Sequence, residues 1–190
     1  MGGINMGMAV VFVLVIIAVI IVIVLVSVYN RLVVLRNRCE NGWAQVDVQL
    51  KKRADLVPNL VETVKGYAAH EKGVFEAVTK ARSAIMNAGS VPDMQAAQNG
   101  MTAALKSLFA VVEAYPQLKA DAQFIMLQEQ LDGIESKIAY GRQFYNDTVL
   151  AYLNALQMFP TNIIAGMFNF KPREYFQIAE AEKEPVKVKF

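Results

Sequence analysis

One uninterrupted apolar segment near the chain start constrains this sequence more than any other feature. Residues Met8 to Val28 contain no charged side chain, and seventeen of these positions are Leu, Ile, Val or Phe. As an α-helix rising about 1.5 Å per residue, the segment spans the roughly 30 Å hydrocarbon core of a bilayer. Because lipid offers no partner to backbone amides and carbonyls, a helix is the one single-segment structure that fits there. We therefore predict a transmembrane helix at residues 8–28.

A cleaved signal peptide is the alternative, and the flanking residues disfavour it. The preceding MGGINMG carries no basic residue, and no small-residue cleavage pattern follows the apolar run. Arg31, Arg36 and Arg38 follow the run closely, whereas no Lys or Arg precedes it. The positive-inside rule then places residues 1–7 outside and the bulk of the chain in the cytoplasm, anchored in the inner or plasma membrane. We expect the three arginines to lie at the membrane surface, near anionic headgroups.

After the apolar segment, an apolar stripe with helical spacing runs through the next forty residues. Its members repeat every seven positions, and Arg53 interrupts an intermediate step. The repeating residues are Trp43, Leu50, Val57 and Val64, with Val46, Leu60 and Tyr67 between them. We expect Lys51 to Arg53 to belong to a solvated face. The stripe predicts a first helix that continues from the membrane to about Met86.

Pro58 lies within this stripe and leaves two alternatives open. Either the helix reverses there, with Asp55 or Asn59 capping the next helix, or it bends. The stripe crosses the proline in phase, which favours the bend. A proline inside a helix leaves the carbonyl four residues earlier, that of Ala54, without its amide donor. We therefore predict a helix kink at Pro58.

Two further helices follow the turn NAGSVPD. Ser90 with Asp93 three residues later, and Pro92 between them, is a capping signal for the second helix. The third has eleven positions that alternate steps of three and four, which is typical of a bundle seam. Its seam includes Leu131, Ile138, Tyr145 and Tyr152, with the small residues Gly141, Thr148 and Ala155 permitting close approach of a neighbouring helix, and it ends at Phe159. The fold class is therefore all-α: an N-terminal transmembrane helix continuing into a long, kinked-helix antiparallel bundle at residues 29–159.

Residues 160–190 form a C-terminal tail that mixes aromatic residues with both signs of charge. Such a segment can pack on the bundle, meet lipid headgroups, or dock on another protein. If it docks, the expected contacts are Phe168, Phe170, Tyr175 and Phe176.

The sequence contains few residues suited to catalysis or metal binding. It has one histidine, His70, and one cysteine, Cys39, so neither a multi-histidine zinc site nor a paired di-iron site fits in one chain. A Cys-His nucleophile pair would have to close roughly 45 Å along a continuous helix. No glycine-rich phosphate loop occurs, and a net charge of +2 does not indicate nucleic acid binding. We expect neither an enzyme nor a cofactor.

Four blocks of the sequence carry a resemblance to a known family. They are YNRLVVLRNRCENGWAQVDVQLKKRADLVPNLVETVKGYAAHEK, YPQLKADAQFIMLQEQL, RQFYNDTVLAYL and FPTNIIAGMFNFKPREYF. These blocks are similar to the LemA family of bacterial membrane proteins. The resemblance implies a membrane anchor, a cytoplasmic four-helix-bundle type of domain and no known enzymatic activity. Some relatives are associated with magnetosome membrane formation, and others are encoded beside a membrane metalloprotease. Cys39, Gly42 and Leu153 depart from the family pattern.

The helix lengths bear on function. A first helix from Tyr29 to Met86 would be about 85 Å long, and the third about 60 Å, so Trp43, Val46 and Leu50 need a partner in the third helix, the tail or another subunit. An exposed stripe favours a homo-oligomer. The leading hypothesis is a non-enzymatic, membrane-anchored protein that homo-oligomerises and organises the membrane, with lipids as partners. The alternative is an adaptor that docks a membrane protease or another partner through its bundle and tail.

Overall fold

The structure, a computed structural model, describes residues 2–177, with side chains from residue 6 onward. Within these residues the chain forms helices and no strand, which confirms the all-α class. The helices are α1 (Gly2–Lys65), α2 (Lys72–Asn87), α3 (Val91–Glu113), α4 (Pro116–Lys119), α5 (Ala122–Gln157) and α6 (Thr161–Met167). The last thirteen residues of the predicted tail lie outside the described residues.

The apolar start of α1 has the length and composition to cross a membrane, the one such helix in residues 2–177. No part of its most apolar stretch is buried against other elements. Large side chains from Met6 to Val26 are about half exposed or more. Since nothing in the described chain covers them, lipid is the solvent that suits this surface.

The stripe predicts a first helix that reaches Met86, but the first helix ends earlier. Pro58 lies inside α1, but the helix ends at Lys65, and α2 begins only at Lys72. The intervening turn closes with amide-to-carbonyl hydrogen bonds from Tyr67 and Ala68 to Val64. Gly66 and Gly73 flank this turn and lower helix propensity on both sides. One predicted helix is therefore two.

The second predicted helix is confirmed as α3, including its cap. The Asp93 amide donates to Ser90 Oγ at 3.2 Å, the Ser90 hydroxyl donates to the Asp93 carboxylate at 2.6 Å, and proline occupies the first turn. Its buried face includes Met94, Met101 and Leu108.

The third predicted helix corresponds to α5. Asp121 precedes it and accepts a hydrogen bond from the Phe124 amide at 2.9 Å, which caps the first turn. The seam residues Leu131, Ile138, Tyr145 and Tyr152 are buried. Phe159, the last predicted seam position, instead lies beyond the end of α5 and is 80% exposed.

The chain divides into two compact units, and the division falls within α1 and α5. We call residues 1–40 with 148–173 the anchor unit, and residues 41–147 with 174–190 the bundle unit. The anchor unit therefore contains the apolar start of α1, the end of α5 and α6. The bundle unit contains α2, α3, α4 and the remaining parts of α1 and α5.

Candidate functional surfaces

The apolar stripe of α1 is covered inside the bundle unit. Trp43 lies between Tyr145 of α5 and Phe176 of the tail, with ring centroids 5.6 and 5.9 Å away. Leu50 is fully buried. Val46, Val57 and Val64 are buried as well. Helix α5 and the tail thus cover the stripe at Trp43. The expectation that the stripe is exposed is therefore wrong. Association of subunits needs another surface.

Glycines bring α1 and α5 into close contact. A Cβ atom on Gly141 would stand 3.2 Å from Val46 Cγ2, and one on Gly42 would stand 3.3 Å from Tyr145 Cα. The close approach at Gly141 agrees with the prediction for the α5 seam. Gly42, noted in the sequence only as a departure from the family pattern, plays the same part on α1.

Phe176 is held inside the bundle unit rather than presented to a partner. Its amide donates to Asn146 Oδ1, and Asn146 Nδ2 donates to its carbonyl, both at 2.9 Å. The Tyr145 hydroxyl donates to the Glu174 carbonyl at 2.7 Å. Phe176 is 1% exposed, so the expectation that it contacts another protein is wrong. Its neighbour Tyr175 remains 39% exposed.

The anchor unit holds the earlier part of the tail beside the end of the apolar run. The Tyr152 hydroxyl donates to the Lys171 carbonyl at 2.9 Å. The ring centroid of Tyr29 lies 4.8 Å from that of Phe168 and 5.8 Å from that of Phe170. Phe168 is 57% exposed, whereas Phe170 is partly buried.

The three juxtamembrane arginines are available to headgroups. Arg31, Arg36 and Arg38 are all exposed. The Arg36 guanidinium also lies 5.6 Å from the Phe170 ring centroid, within the range of a cation–π contact. Glu40 is engaged with Arg173 in an ion pair.

The sequence predicts that Arg53 lies on a solvated face, and this prediction is wrong. Arg53 is buried, with 4% of its surface exposed. Its Nη1 lies 3.2 Å from Glu135 Oε2 of α5, and its Nη2 donates to Thr102 Oγ1 of α3 at 3.4 Å. A guanidinium carries several donors in one plane, so a single buried arginine can join three helices. An arginine at a seam position was the signal in the sequence for this role.

The backbone acceptor released by Pro58 has a specific partner. Arg82 of α2 donates from Nε to the carbonyl of Ala54 at 3.0 Å. The same guanidinium lies 3.9 Å from the Asp55 carboxylate. The sequence predicts that this carbonyl loses its helical donor, but it does not identify Arg82.

Two buried titratable groups of the described residues have shifted pKa values. Burial raises the pKa of the Cys39 thiol, and hydrogen bonding to Thr148 opposes this only in part, so the protonated form is favoured. Burial also raises the pKa of Tyr152. His70 is exposed. Among the described residues, no three His, Cys, Asp or Glu side chains are grouped to hold a metal ion.

A hydrogen bond that the sequence does not predict joins two turns of the bundle unit. The Tyr67 hydroxyl donates to Asp121 at 2.9 Å, although the stripe placed Tyr67 in the seam. The Phe124 amide and then the Tyr67 hydroxyl hold the pKa of Asp121 below its ordinary value. The arrangement stabilises the start of α5 rather than activating a proton donor.

The bundle unit carries an uncovered apolar surface between α1 and α5. We define the α1/α5 face as Ala44, Val48, Tyr140 and Phe144. These residues line a groove of about 580 Å³ together with Gln45, Gln49, Lys137 and Gly141. Val48 is 47% exposed, Tyr140 74% and Phe144 49%. Tyr140 and Phe144 are four residues apart and so share one side of α5.

Comparison with known proteins gives a consistent result. The model of the LemA family matches residues 42–190. Magnetosome protein MamQ 2 of Paramagnetospirillum magneticum is 25% identical over 184 residues, covering 83% of this chain and 68% of the relative. Magnetosome protein MamQ of Magnetospirillum gryphiswaldense is 23% identical with the same coverage. Protein LemA of Metamycoplasma hominis is 22% identical over 161 residues, covering 83% of this chain and 72% of the relative.

Proposed function

Because the chain belongs to the LemA family, we propose that it is a non-enzymatic, membrane-anchored protein whose copies assemble and organise the membrane that holds them. The exposed apolar start of α1 supports the anchoring. Two of its relatives are magnetosome proteins by name, which supports a role at a membrane. Lipids are then its first partners, and no nucleic acid is involved.

The α1/α5 face is the observation that carries self-association. Exposed Tyr and Phe side chains beside a groove are typical of the centres of protein interfaces. Ala44 of α1 and Gly141 of α5 are the smallest residues that line the groove. A second copy that places its own Tyr140 or Phe144 there would bury apolar area in a shape the surface already offers.

Charge on this face tests the assembly directly. We expect the full chain in detergent to have an oligomeric mass in light scattering. The double variant Tyr140→Glu, Phe144→Glu should associate at least ~100-fold more weakly, because two carboxylates would have to be desolvated in the interface. Both side chains are exposed, so the helical circular dichroism should not change.

Met86→Glu is the matched control, since Met86 is a similarly exposed apolar residue on α2. It should leave the oligomeric mass as it is. A wild-type chain that is monomeric at micromolar concentration would contradict self-association. A double variant with the wild-type mass would exclude the α1/α5 face.

An adaptor role is the second candidate, and Tyr175 is the observation that favours it. Tyr175 lies at a groove of about 570 Å³ with Pro92 and Gln95 of α3. Deleting residues 161–190 would also remove the backbone acceptors of Tyr145 and Tyr152, so a point change is sharper. If the chain docks a membrane protease at this groove, Tyr175→Ala should lower the amount of co-expressed protease that is recovered with the chain. The oligomeric mass of the chain itself should not change. Equal recovery would count against docking at this groove.

A further inference from the structure

Helix α6 and its flanks present an apolar corner on the anchor unit. Ile163 and Met167, four residues apart on one side of α6, are 52% and 71% exposed. The opposite side, with Ile164 and Ala165, is buried. We define the α6 corner as five exposed residues, namely Met158, Phe159, Ile163, Met167 and Phe168. Five large apolar side chains exposed within eleven residues indicate a surface that something covers.

The corner lies at the level where the apolar run of α1 ends. Tyr29 directly follows the run, and its ring contacts Phe168 of the corner at 4.8 Å between centroids. A helix that crosses the bilayer with Met8 to Val28 brings Tyr29 to the headgroup layer, where tyrosine rings concentrate. Phe168 is then within one side-chain length of the same layer. The α6 corner thus adjoins the end of the apolar run at Phe168.

The charge of the anchor unit fits an anionic surface. It carries five cationic side chains and one carboxylate, a net +4, although the whole chain has only +2. The cations are Arg31, Arg36, Arg38, Lys171 and Arg173. The carboxylate, Glu40, is engaged by Arg173. Cations beside exposed apolar residues are typical of elements that lie in the interface of an anionic membrane.

We propose that the α6 corner inserts into the headgroup layer of the membrane that α1 crosses, so that each chain contacts lipid at two points. Lipid suits this surface, because anionic headgroups complement the five cations while the acyl chains cover the exposed apolar side chains. The inference goes beyond the proposed assembly and depends only on anchoring by α1. The corner then fixes the anchor unit against the bilayer surface.

Nitroxide labels on the full chain test this depth. In a Cys39→Ala background, single cysteines replace Ile163 or Met167, and the labelled protein is placed in vesicles of phosphatidylethanolamine and phosphatidylglycerol. Accessibility to oxygen, which concentrates in lipid, is divided by accessibility to a water-soluble nickel complex. We expect a ratio several-fold higher than at a water-exposed site. Circular dichroism checks that each variant is folded.

Two positions of α1 calibrate the scale in the same chain. Val19→Cys reports the bilayer interior. Lys52→Cys reports water, since Lys52 is exposed and about 35 Å beyond Tyr29 along the helix. The ratios at Ile163 and Met167 should fall between these two.

A ratio equal to that of Lys52 would overturn the proposal. So would exclusion of both probes together with spin–spin broadening, which would mean that a second copy covers the corner. The same measurement in the Tyr140→Glu, Phe144→Glu variant separates this proposal from the proposed assembly. The depth should be unchanged there even if the chains no longer associate.

Discussion

At Pro58, a side chain of α2 replaces a backbone hydrogen-bond donor that α1 lacks. The proline lacks the amide that would bond the Ala54 carbonyl, and Ala54 is fully buried, so water cannot replace that donor. Arg82 provides a donor from α2 at 3.0 Å. Arg82 therefore ties α2 to α1 at a backbone acceptor that loses its helical donor because of Pro58.

We expect Arg82→Met to lower the free energy of unfolding by about 1–3 kcal/mol, because a buried carbonyl loses its partner. In a Pro58→Ala background the new amide restores the helical bond, so the same change should cost less. Urea unfolding of the two single variants and the double variant measures this coupling. An equal cost of Arg82→Met in both backgrounds would show that Arg82 does not serve the Ala54 carbonyl.

Arg53 differs from its neighbours in a way that residue type does not reveal. Lys51, Lys52 and Arg53 form one charged run, yet only Arg53 is buried. Lys51 instead pairs with Asp47 one turn earlier at 2.7 Å. The difference follows from position, because Arg53 falls on the stripe and meets Glu135 across the helix pair.

At the scale of the elements, the pairing of α1 with α5 depends on missing side chains. Gly141 and Gly42 let the two backbones approach, and Val46 and Tyr145 fill the space that they leave. Periodicity predicts the seam on each helix separately. Which residue of α1 lies opposite Gly141 depends on the register between the helices.

We expect Gly141→Val to destabilise the chain by about 1–3 kcal/mol, because its methyl groups would overlap Val46. Thermal unfolding by circular dichroism measures the loss. Gly133→Val is the matched control on α5, where an added Cβ meets nothing within 4 Å. It should be neutral or slightly stabilising, since valine favours a helix over glycine. Equal effects at the two positions would contradict the close packing at Gly141.

The turn between α1 and α2 is the other element-scale difference. The in-phase stripe predicted one helix to Met86, but α1 ends at Lys65. Apolar periodicity continues across the break because the residues of α2, such as Val78 and Ile85, also face a core. A buried face on both sides of a turn is therefore not evidence of an unbroken helix.

At the scale of the whole molecule, the cationic residues concentrate beside the apolar run. The anchor unit has a net side-chain charge of +4, so the remainder of the chain carries −2. The part of this charge that bears on the proposed orientation, with the N-terminus outside and the bundle unit in the cytoplasm, is Arg31, Arg36 and Arg38, because they follow the apolar run closely and no Lys or Arg precedes it.

Protease added to intact spheroplasts tests the orientation. We expect the bundle unit to be protected until the membrane is lysed with detergent. Replacing Arg31, Arg36 and Arg38 with Glu should make a measurable fraction accessible from outside, because the positive flank is lost. Lys51→Glu with Lys52→Glu is the control, since these residues lie beyond the range of the rule. Cleavage of the bundle unit in intact wild-type spheroplasts would reverse the assignment.

The sequence by itself determined the anchor, the helical class, the cap at Ser90 and the α5 seam. Each follows from local rules: apolar length, capping geometry and heptad spacing. Only the tertiary structure decided that Tyr145 of α5 and Phe176 cover Trp43 of the stripe, that Arg53 and Arg82 join helices, and that Phe168 of the α6 corner lies beside Tyr29. These contacts join residues distant in the chain. Their partners depend on how the helices pack, which periodicity within one helix does not specify.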